Sequence, residues 1–207
     1  MAALRRLAVP LIVAGLSLGV ALLGPEAASA LRYTRSDLAA GEWWRVITGH
    51  FVHLSWAHLG LNLAGLGVVW ALVGHRLPVW AWGVGFLLDA VAVVLGLWFL
   101  SPGLEWYVGL SGCLHGLLVL GAVAALSGRD RWFGAGLLVL VAAKLTYEGI
   151  EGPSGGLEGL IRGRVVTDAH LYGAVGGLVL GGLWCIAAGR CRSWRGMGRR
   201  ASLPPGG

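Results

Sequence analysis

Six long apolar segments constrain the fold of this chain more than any other feature of its sequence. They lie near residues 7–24, 56–74, 79–100, 111–127, 132–148 and 166–188. A helix needs roughly 17 to 25 residues to cross about 30 Å of hydrocarbon, and each segment has that length. Because 57% of the 207 residues are hydrophobic and 13% are charged, little of the chain remains for a soluble domain. We therefore predict a single all-α membrane domain with six transmembrane helices.

The arginines at the segment ends predict the orientation, because cytoplasmic loops carry an excess of basic residues. With the N-terminus inside, the inner face carries ten arginines: Arg5, Arg6, Arg76, Arg129, Arg131, Arg190, Arg192, Arg195, Arg199 and Arg200. The outer face carries five: Arg32, Arg35, Arg45, Arg162 and Arg164. Both termini are thus expected to be cytoplasmic, with residues 189–207 as a basic cytoplasmic tail. The same distribution argues against nucleic-acid binding despite the net charge of +6, since the charges form no single basic surface.

The first apolar segment has two interpretations. Arg5 and Arg6, the apolar residues 7–23 and the sequence Ala28-Ser29-Ala30 together resemble a cleavable signal peptide. The alternative is a retained transmembrane helix. Residues after Leu31 begin outside in either case, so the topology of the remaining chain is the same.

Two charged residues fall inside predicted membrane helices, Asp89 in the third and Lys144 in the fifth. If both helices run as predicted, the two side chains lie at similar depth, and a buried Asp89–Lys144 ion pair is one hypothesis. The alternative is that Lys144 extends towards the membrane surface while Asp89 lines a polar cavity.

Residues 109–116, Gly-Leu-Ser-Gly-Cys-Leu-His-Gly, are the first candidate for chemistry, because a serine between glycines opens an apolar helix. A serine nucleophile needs a base, and His170 at the head of the sixth segment is the strongest candidate. Ser111 lies 16 residues before Ser127 and His170 lies 18 before Ala188. These separations correspond to depths of about 24 and 27 Å, so the two side chains are expected at nearly the same level.

Glycines on both helices favour direct contact between Ser111 and His170. Gly112 and Gly116 lie on the serine helix, and Gly173, Gly176 and Gly177 lie on the histidine helix. Small residues let the backbones of membrane helices pack closely. A serine in a membrane helix commonly bonds to its own backbone instead, but the matched depth and the glycines favour a nucleophile.

His58 and Asn62 share one face of the second helix, because they are four residues apart. Together with the Ser111 backbone N–H, they are candidate donors to the oxyanion of an acyl-transfer reaction. Hydrogen bonding between helices is an equally good explanation of both residues.

A zinc site built from His50, His53 and His58 is not predicted, since no carboxylate or thiolate shares their face at useful spacing. The chain also contains no His-Glu-x-x-His motif. We predict neither a metal nor another cofactor. Hydrolysis needs water, which is expected to enter from outside, where polar residues cluster at the helix ends.

Four motifs in this order resemble those of the rhomboid intramembrane serine proteases over about residues 41–181. Glu42-Trp43-Trp44-Arg45 resembles the Trp-Arg motif of the family's first loop, although an aromatic anchor at the bilayer interface also explains the tryptophans. His58-x-x-x-Asn62 and Gly109-x-Ser111-Gly112 resemble its second- and fourth-helix motifs. His170-x-x-Gly173-x-x-x-Gly177 resembles the motif of its sixth helix.

The resemblance implies a six-helix rhomboid-like bundle that cleaves peptide bonds in or beside the transmembrane segment of a substrate. Ser111 would be the nucleophile and His170 the base of a Ser-His dyad without a third carboxylate. His58, Asn62 and the Ser111 amide would form the oxyanion hole, and His53 matches a further histidine of the first loop. The site would open to the extracytoplasmic side. His115 stands where many rhomboids place a tyrosine against the catalytic imidazole, and it is expected to pack against His170 in the same way.

The compact size and the form of residues 109–116 are most similar to the bacterial rhombosortase subgroup. That similarity implies a multi-pass protein of the bacterial inner membrane and single-pass substrates with C-terminal Gly-Gly-type sorting tails. The lipid bilayer is the other expected partner, and the sequence leaves the oligomeric state open. An inactive rhomboid-like protein that binds or escorts membrane clients is the alternative. A transporter is disfavoured because the sequence shows no internal repeat.

Overall fold

The computed structural model describes residues 7–153 and 156–189. Arg5 and Arg6, which begin the signal-peptide pattern, lie outside the described residues. So does the predicted basic tail beyond Gly189.

Within the described residues the chain is mostly helical. The helices are α1 (Ala8–Leu23), α2 (Pro25–Leu31), α3 (Arg35–Ala39), α4 (Arg45–Thr48), α5 (Trp56–Val73), α6 (Val79–Leu100), α7 (Ser111–Leu126), α8 (Arg131–Glu151), α9 (Leu157–Ile161) and α10 (Thr167–Ala187). A 3₁₀ turn covers Gly49–Phe51, and two short strands are β1 (Tyr33–Thr34) and β2 (Trp106–Tyr107). The six longer helices occupy the six apolar segments.

Four of these six helices, α5, α6, α8 and α10, are long and apolar enough to cross a membrane. The other two, α1 and α7, are apolar but have 16 residues each. Sixteen residues span about 24 Å, less than the hydrocarbon thickness of about 30 Å. The structure therefore supports a multi-pass membrane protein, and the number of six crossings stays a prediction.

Helix α7 lies at the centre of the bundle, with most of its length buried between α5, α6, α8 and α10. Its closest neighbour is α10. A Cβ atom on Gly173 or Gly177 would collide with the backbone carbonyls of Gly112 and Gly116. The close approach of these two helices that the glycines predict is thus present.

The first loop, residues 24–55, is ordered by contacts with the ends of distant helices. Strand β1 pairs antiparallel with β2, with Tyr33 opposite Tyr107. The Arg35 guanidinium donates to the carbonyl oxygens of Leu97, Trp98, Ser101 and Leu104. Because the last carbonyls of a helix lack partners in their own helix, Arg35 caps the end of α6.

Arg45 of the Trp-Arg motif is 5% exposed and lies inside the first loop. Its guanidinium pairs with Asp37 and Glu42 and donates to the carbonyls of Ser29 and Arg32. In contrast, the neighbouring tryptophans are exposed, as expected for an interfacial anchor. Arg45 therefore holds the loop together.

The hypothesis of an Asp89–Lys144 ion pair is wrong. Lys144 binds Glu148, one turn along its own helix, with 2.5 Å between Nζ and Oε1. Asp89 is 1% exposed and packs against Gly116 and Gly176, and neither carboxyl oxygen has a hydrogen-bond partner among the described residues. The two charges are not together because Asp89 lies where α6 packs against α7 and α10, whereas Lys144 lines the cavity beside Ser111.

Candidate active site

Ser111 is the first residue of α7, directly after a turn that requires glycine. Gly109 has a φ of +116°, and a Cβ atom there would lie 2.9 Å from Cε1 of His58. Only glycine tolerates both the backbone conformation and this approach. The Tyr107 hydroxyl donates to the Gly109 carbonyl at 2.7 Å, which holds the turn from the other side. The hydroxyl of Ser111 consequently faces a cavity at the end of the helix.

His170 lies in the first turn of α10, and its ring reaches across to α7. Its Nε2 atom is 2.9 Å from Oγ of Ser111. The residue as a whole is 4% exposed, because α7 and α8 cover it. The two residues that the sequence analysis selected by depth are therefore within hydrogen-bond distance.

A carboxylate contacts the other nitrogen of the same ring. Oε2 of Glu148 lies 2.9 Å from Nδ1 of His170, and its second oxygen binds Lys144. Glu148 is 6% exposed. Ser111, His170 and Glu148 thus form a continuous hydrogen-bonded chain across three helices.

His115 packs flat on the ring of His170, with 4.3 Å between the ring centroids and 19° between the ring planes. Its Nδ1 donates to the Ser111 carbonyl, one turn back on α7, at 2.7 Å. The predicted packing of His115 against His170 is therefore present.

His58 and Asn62 line the same cavity as Ser111. The backbone N–H of Leu54 donates to Nδ1 of His58 at 3.2 Å, so the hydrogen of the neutral ring is on Nε2. Asn62 uses one amide hydrogen on the His58 carbonyl and keeps a second. Both side chains thus retain a donor that can serve an oxyanion.

His53 lies behind His58 and does not line this cavity. Its ring meets that of His58 edge to face, at 5.0 Å between centroids, and its Nδ1 donates to the Phe51 carbonyl. Burial, followed by the neighbouring His58, lowers the pKa of His53 to about 4. A neutral His53 supports His58 from behind.

The cavity has a volume of about 420 Å³ and lies between α5 and α8, with α9 at one end. Apart from the polar residues already named, its walls are apolar side chains: Leu61, Val68, Val69, Leu114, Leu118, Leu157, Ile161 and Val165. The space in front of Ser111 is therefore mainly apolar.

A model of the Rhomboid domain matches residues 40–187, well over half of the chain. The chain belongs to the rhomboid family. The matched region contains every site residue discussed above, from His53 to Gly173.

Individual relatives match this rhomboid over most of its length. Rhomboid-like protein 11, chloroplastic, of Arabidopsis thaliana is 29% identical over 153 residues, which cover 70% of this chain and 53% of that protein. Uncharacterized protein Rv1337 of Mycobacterium tuberculosis is 31% identical over 170 residues, which cover 78% and 67%. Rhomboid protease GluP of Bacillus subtilis is 27% identical over 156 residues, which cover 74% and 27%. The chain thus spans about half the length of the first relative and about a quarter of the last.

Glu148 is the site residue that the sequence analysis missed, and the expectation that no carboxylate accompanies Ser111 and His170 is wrong for this rhomboid. The sequence does contain one indication of Glu148. Lys144 and Glu148 are four residues apart and therefore share one face of their helix. That spacing predicts an ion pair inside a membrane helix, and such residues commonly face the bundle interior.

His115, Glu148 and His170 also form a group whose potential metal-ligand atoms lie within 4.8 Å of one another. A metal ion lies close to the plane of each imidazole that binds it. The two rings are stacked and nearly parallel, so one ion cannot lie in both planes. The hydrogen bonds to Ser111 and Glu148 account for these nitrogens instead.

No potential metal-binding group within residues 7–153 and 156–189 contains the three histidines of the unpredicted zinc site, His50, His53 and His58. His50 is fully buried, and its nitrogens contact the Ala90 carbonyl and the Cys113 sulfur. Burial lowers the pKa of His50 to about 4. It acts as a neutral link between the first loop, α6 and α7.

Proposed function

We propose that this rhomboid is an intramembrane serine endopeptidase in which Ser111 is the nucleophile and His170 the general base. The observation that carries the proposal is the 2.9 Å contact between Ser111 Oγ and His170 Nε2 at the wall of a cavity. Two relatives whose names identify them as proteases support it: GluP of Bacillus subtilis and Rhomboid-like protease 5 of Toxoplasma gondii. Each of them is much longer than this chain.

The proposed reaction follows from the contacts of the two residues. The Ser111 hydroxyl donates its proton to His170 Nε2 as the oxygen attacks the carbonyl carbon of the scissile bond. The protonated imidazole then gives this proton to the leaving amine, and a water molecule releases the acyl group from Ser111 by the reverse sequence.

The negative oxygen of the tetrahedral intermediate needs donors that are already in position. The first N–H groups of α7 have no partner within their helix, and the helix dipole adds positive potential there. The second amide hydrogen of Asn62 and the Nε2–H of His58 border the same space. We assign the Ser111 N–H, Asn62 and His58 to the oxyanion hole.

The proposed substrate is a single-pass membrane protein, cleaved in or next to its transmembrane segment. The apolar walls of the cavity suit such a segment, and the space between α5 and α8 is the direction from which it would enter. The excess of arginines on the inner face supports cytoplasmic termini and an extracytoplasmic site. By resemblance of residues 109–116, we assign the protein to the inner membrane of a bacterium and to the rhombosortases.

The dyad is tested by purified protein in liposomes with a single-pass substrate. Ser111→Ala and His170→Ala are expected to abolish cleavage, because each removes a group that forms or breaks bonds. Ser127→Ala, at the opposite end of α7, is the matched control and should cleave at the wild-type rate. Circular dichroism and the unfolding temperature in detergent report whether each variant is folded.

Cleavage that survives in folded Ser111→Ala or His170→Ala protein would contradict the assigned roles. Wild-type protein that binds the substrate without cleaving it would favour an inactive, client-binding rhomboid instead.

A further inference from the structure

Each carboxylate oxygen of Glu148 has a hydrogen-bond partner, one on an imidazole ring and one on an ammonium group. Oε2 lies 2.9 Å from His170 Nδ1, and Oε1 lies 2.5 Å from Lys144 Nζ. Glu148 and His170 are both 6% exposed in their side chains, whereas the Lys144 side chain is 47% exposed. The acid is therefore buried between a base on one helix and a cation on its own helix.

Burial of a carboxylate is costly unless a counter-charge and hydrogen bonds replace the lost water. Lys144 supplies the counter-charge one turn before Glu148 on α8. Because this ion pair lies beside His170, an ionised carboxylate contacts Nδ1, the ring nitrogen that faces away from Ser111.

An ionised carboxylate only accepts hydrogen bonds, so its contact fixes the tautomer of His170. Nδ1 must carry the hydrogen that Glu148 accepts. Nε2 then carries the lone pair, and it is Nε2 that lies 2.9 Å from Ser111 Oγ. This tautomer is the one that a base at Ser111 requires.

The remaining neighbours of the His170 ring do not compete for Glu148. His115 covers one face of the ring, and its Nδ1 is bound to the Ser111 carbonyl. His58 and Asn62 lie on the opposite side of the cavity from Lys144 and Glu148, on α5. Glu148 is accordingly the group that selects the tautomer and direction of the ring.

We propose that Glu148 is a positioning residue for the proposed peptidase, completing a Ser111–His170–Glu148 triad in which Lys144 keeps the carboxylate ionised. The proposal rests on the proposed function. After His170 takes the serine proton, the carboxylate also stabilises the imidazolium, without itself being protonated.

The test uses a fluorophosphonate ester, which reports serine activation without knowledge of the natural substrate. Ser111 Oγ bonds to phosphorus, the phosphorus–fluorine bond breaks, fluoride leaves and the serine proton passes to His170. The maximal labelling rate and the half-saturating probe concentration are measured separately for the full-length protein in liposomes.

Glu148→Gln is expected to lower the maximal labelling rate on the order of 10²–10⁴-fold, with little change in the half-saturating concentration. An amide can donate to Nδ1 and thereby favour the wrong tautomer. Glu148→Asp, which keeps a carboxylate, should recover part of this loss. Glu151→Gln makes the same change at an exposed position of α8 and should label as wild type.

Lys144 provides a second test should the Glu148 variants fold poorly. Lys144→Met should slow labelling by removing the counter-charge, and Lys144→Arg should restore it. Unfolding temperatures in detergent accompany every variant.

Wild-type labelling in folded Glu148→Gln protein would overturn the proposal. Equal losses in Glu148→Gln and Glu148→Asp would also overturn it, since they would indicate a packing role. Undiminished labelling of Ser111→Ala would instead overturn the proposed function, so the two failures are distinguishable.

Discussion

Asn62 forms a hydrogen bond within its own helix and also lines the cavity that Ser111 faces. One hydrogen of its amide group is committed to the His58 carbonyl, and the second is free to meet an oxyanion. Hydrogen bonding within the protein and an oxyanion role therefore do not exclude each other at this residue.

Asn62→Ala is expected to lower kcat by about 10²–10³-fold, the usual effect of removing one oxyanion donor, and to leave KM nearly unchanged. Two other donors remain, so a measurable rate should persist. Thr146→Ala, an exposed hydroxyl on α8 that bonds to its own helix, is the control. An Asn62→Ala variant as fast as wild type would remove this residue from the oxyanion hole.

The depth of a residue follows from counting along a helix, so the sequence could place Ser111 and His170 at one level, and the structure brings them within hydrogen-bond distance. The same reasoning failed for Asp89 and Lys144 because depth does not specify the direction in which a side chain points. Lys144 forms an ion pair with Glu148, one turn away on its own helix, and such a pair needs no tertiary packing to form. Glu148 was missed because its position on α8 does not show that its side chain contacts His170 on another helix.

The contact between helices α7 and α10 controls the distance between Ser111 and His170. A side chain on Gly173 has no room, because its Cβ would overlap the Gly112 carbonyl. Backbone atoms cannot turn away as a flexible side chain can, so the helices must separate.

Gly173→Ala is therefore expected to destabilise the bundle by about 1–3 kcal/mol, as overpacked cores usually are. For a chain of this size the Tm should fall by roughly 2–12 °C, and cleavage should fall with it. Gly182→Ala is the matched control, since it lies on the same helix and its Cβ would meet nothing within 4 Å. Equal Tm values for the two variants would contradict the packing argument.

The bounds of the six longer helices lie within three residues of the apolar segments, because polar, charged, glycine or proline residues interrupt most of the apolar runs near their ends. The internal structure of the first loop was not predictable. Strand β1 pairs with β2 across more than seventy positions of sequence, and each strand has two residues. Such short strands have no periodic pattern that could identify them.

For the whole molecule, the family followed from four motifs in order, whereas the subgroup depends on residues 109–116 and on compact size alone. Tail specificity therefore needs its own measurement. Two single-pass substrates that differ only at the junction before the apolar helix, one with Gly-Gly and one with Ala-Ala, serve this purpose.

We expect the Gly-Gly substrate to be cleaved at least about tenfold faster, a difference of about 1.4 kcal/mol in transition-state stabilisation. Initial rates in liposomes measure the ratio, with Ser111→Ala as the blank. Equal rates would leave the protease assignment intact and remove the rhombosortase assignment.

The strand pairing of the first loop also affects how the site meets the membrane. Tyr33 is joined to Tyr107 through the strands, the Gly109 N–H donates to the Gly49 carbonyl, and Arg35 fixes the same loop to the end of α6. The 16 residues of α7 are too few to set their own depth by matching the lipid. Contacts with the first loop and with α6 therefore fix the height of Ser111 in the bundle, and the length of α7 itself does not set it.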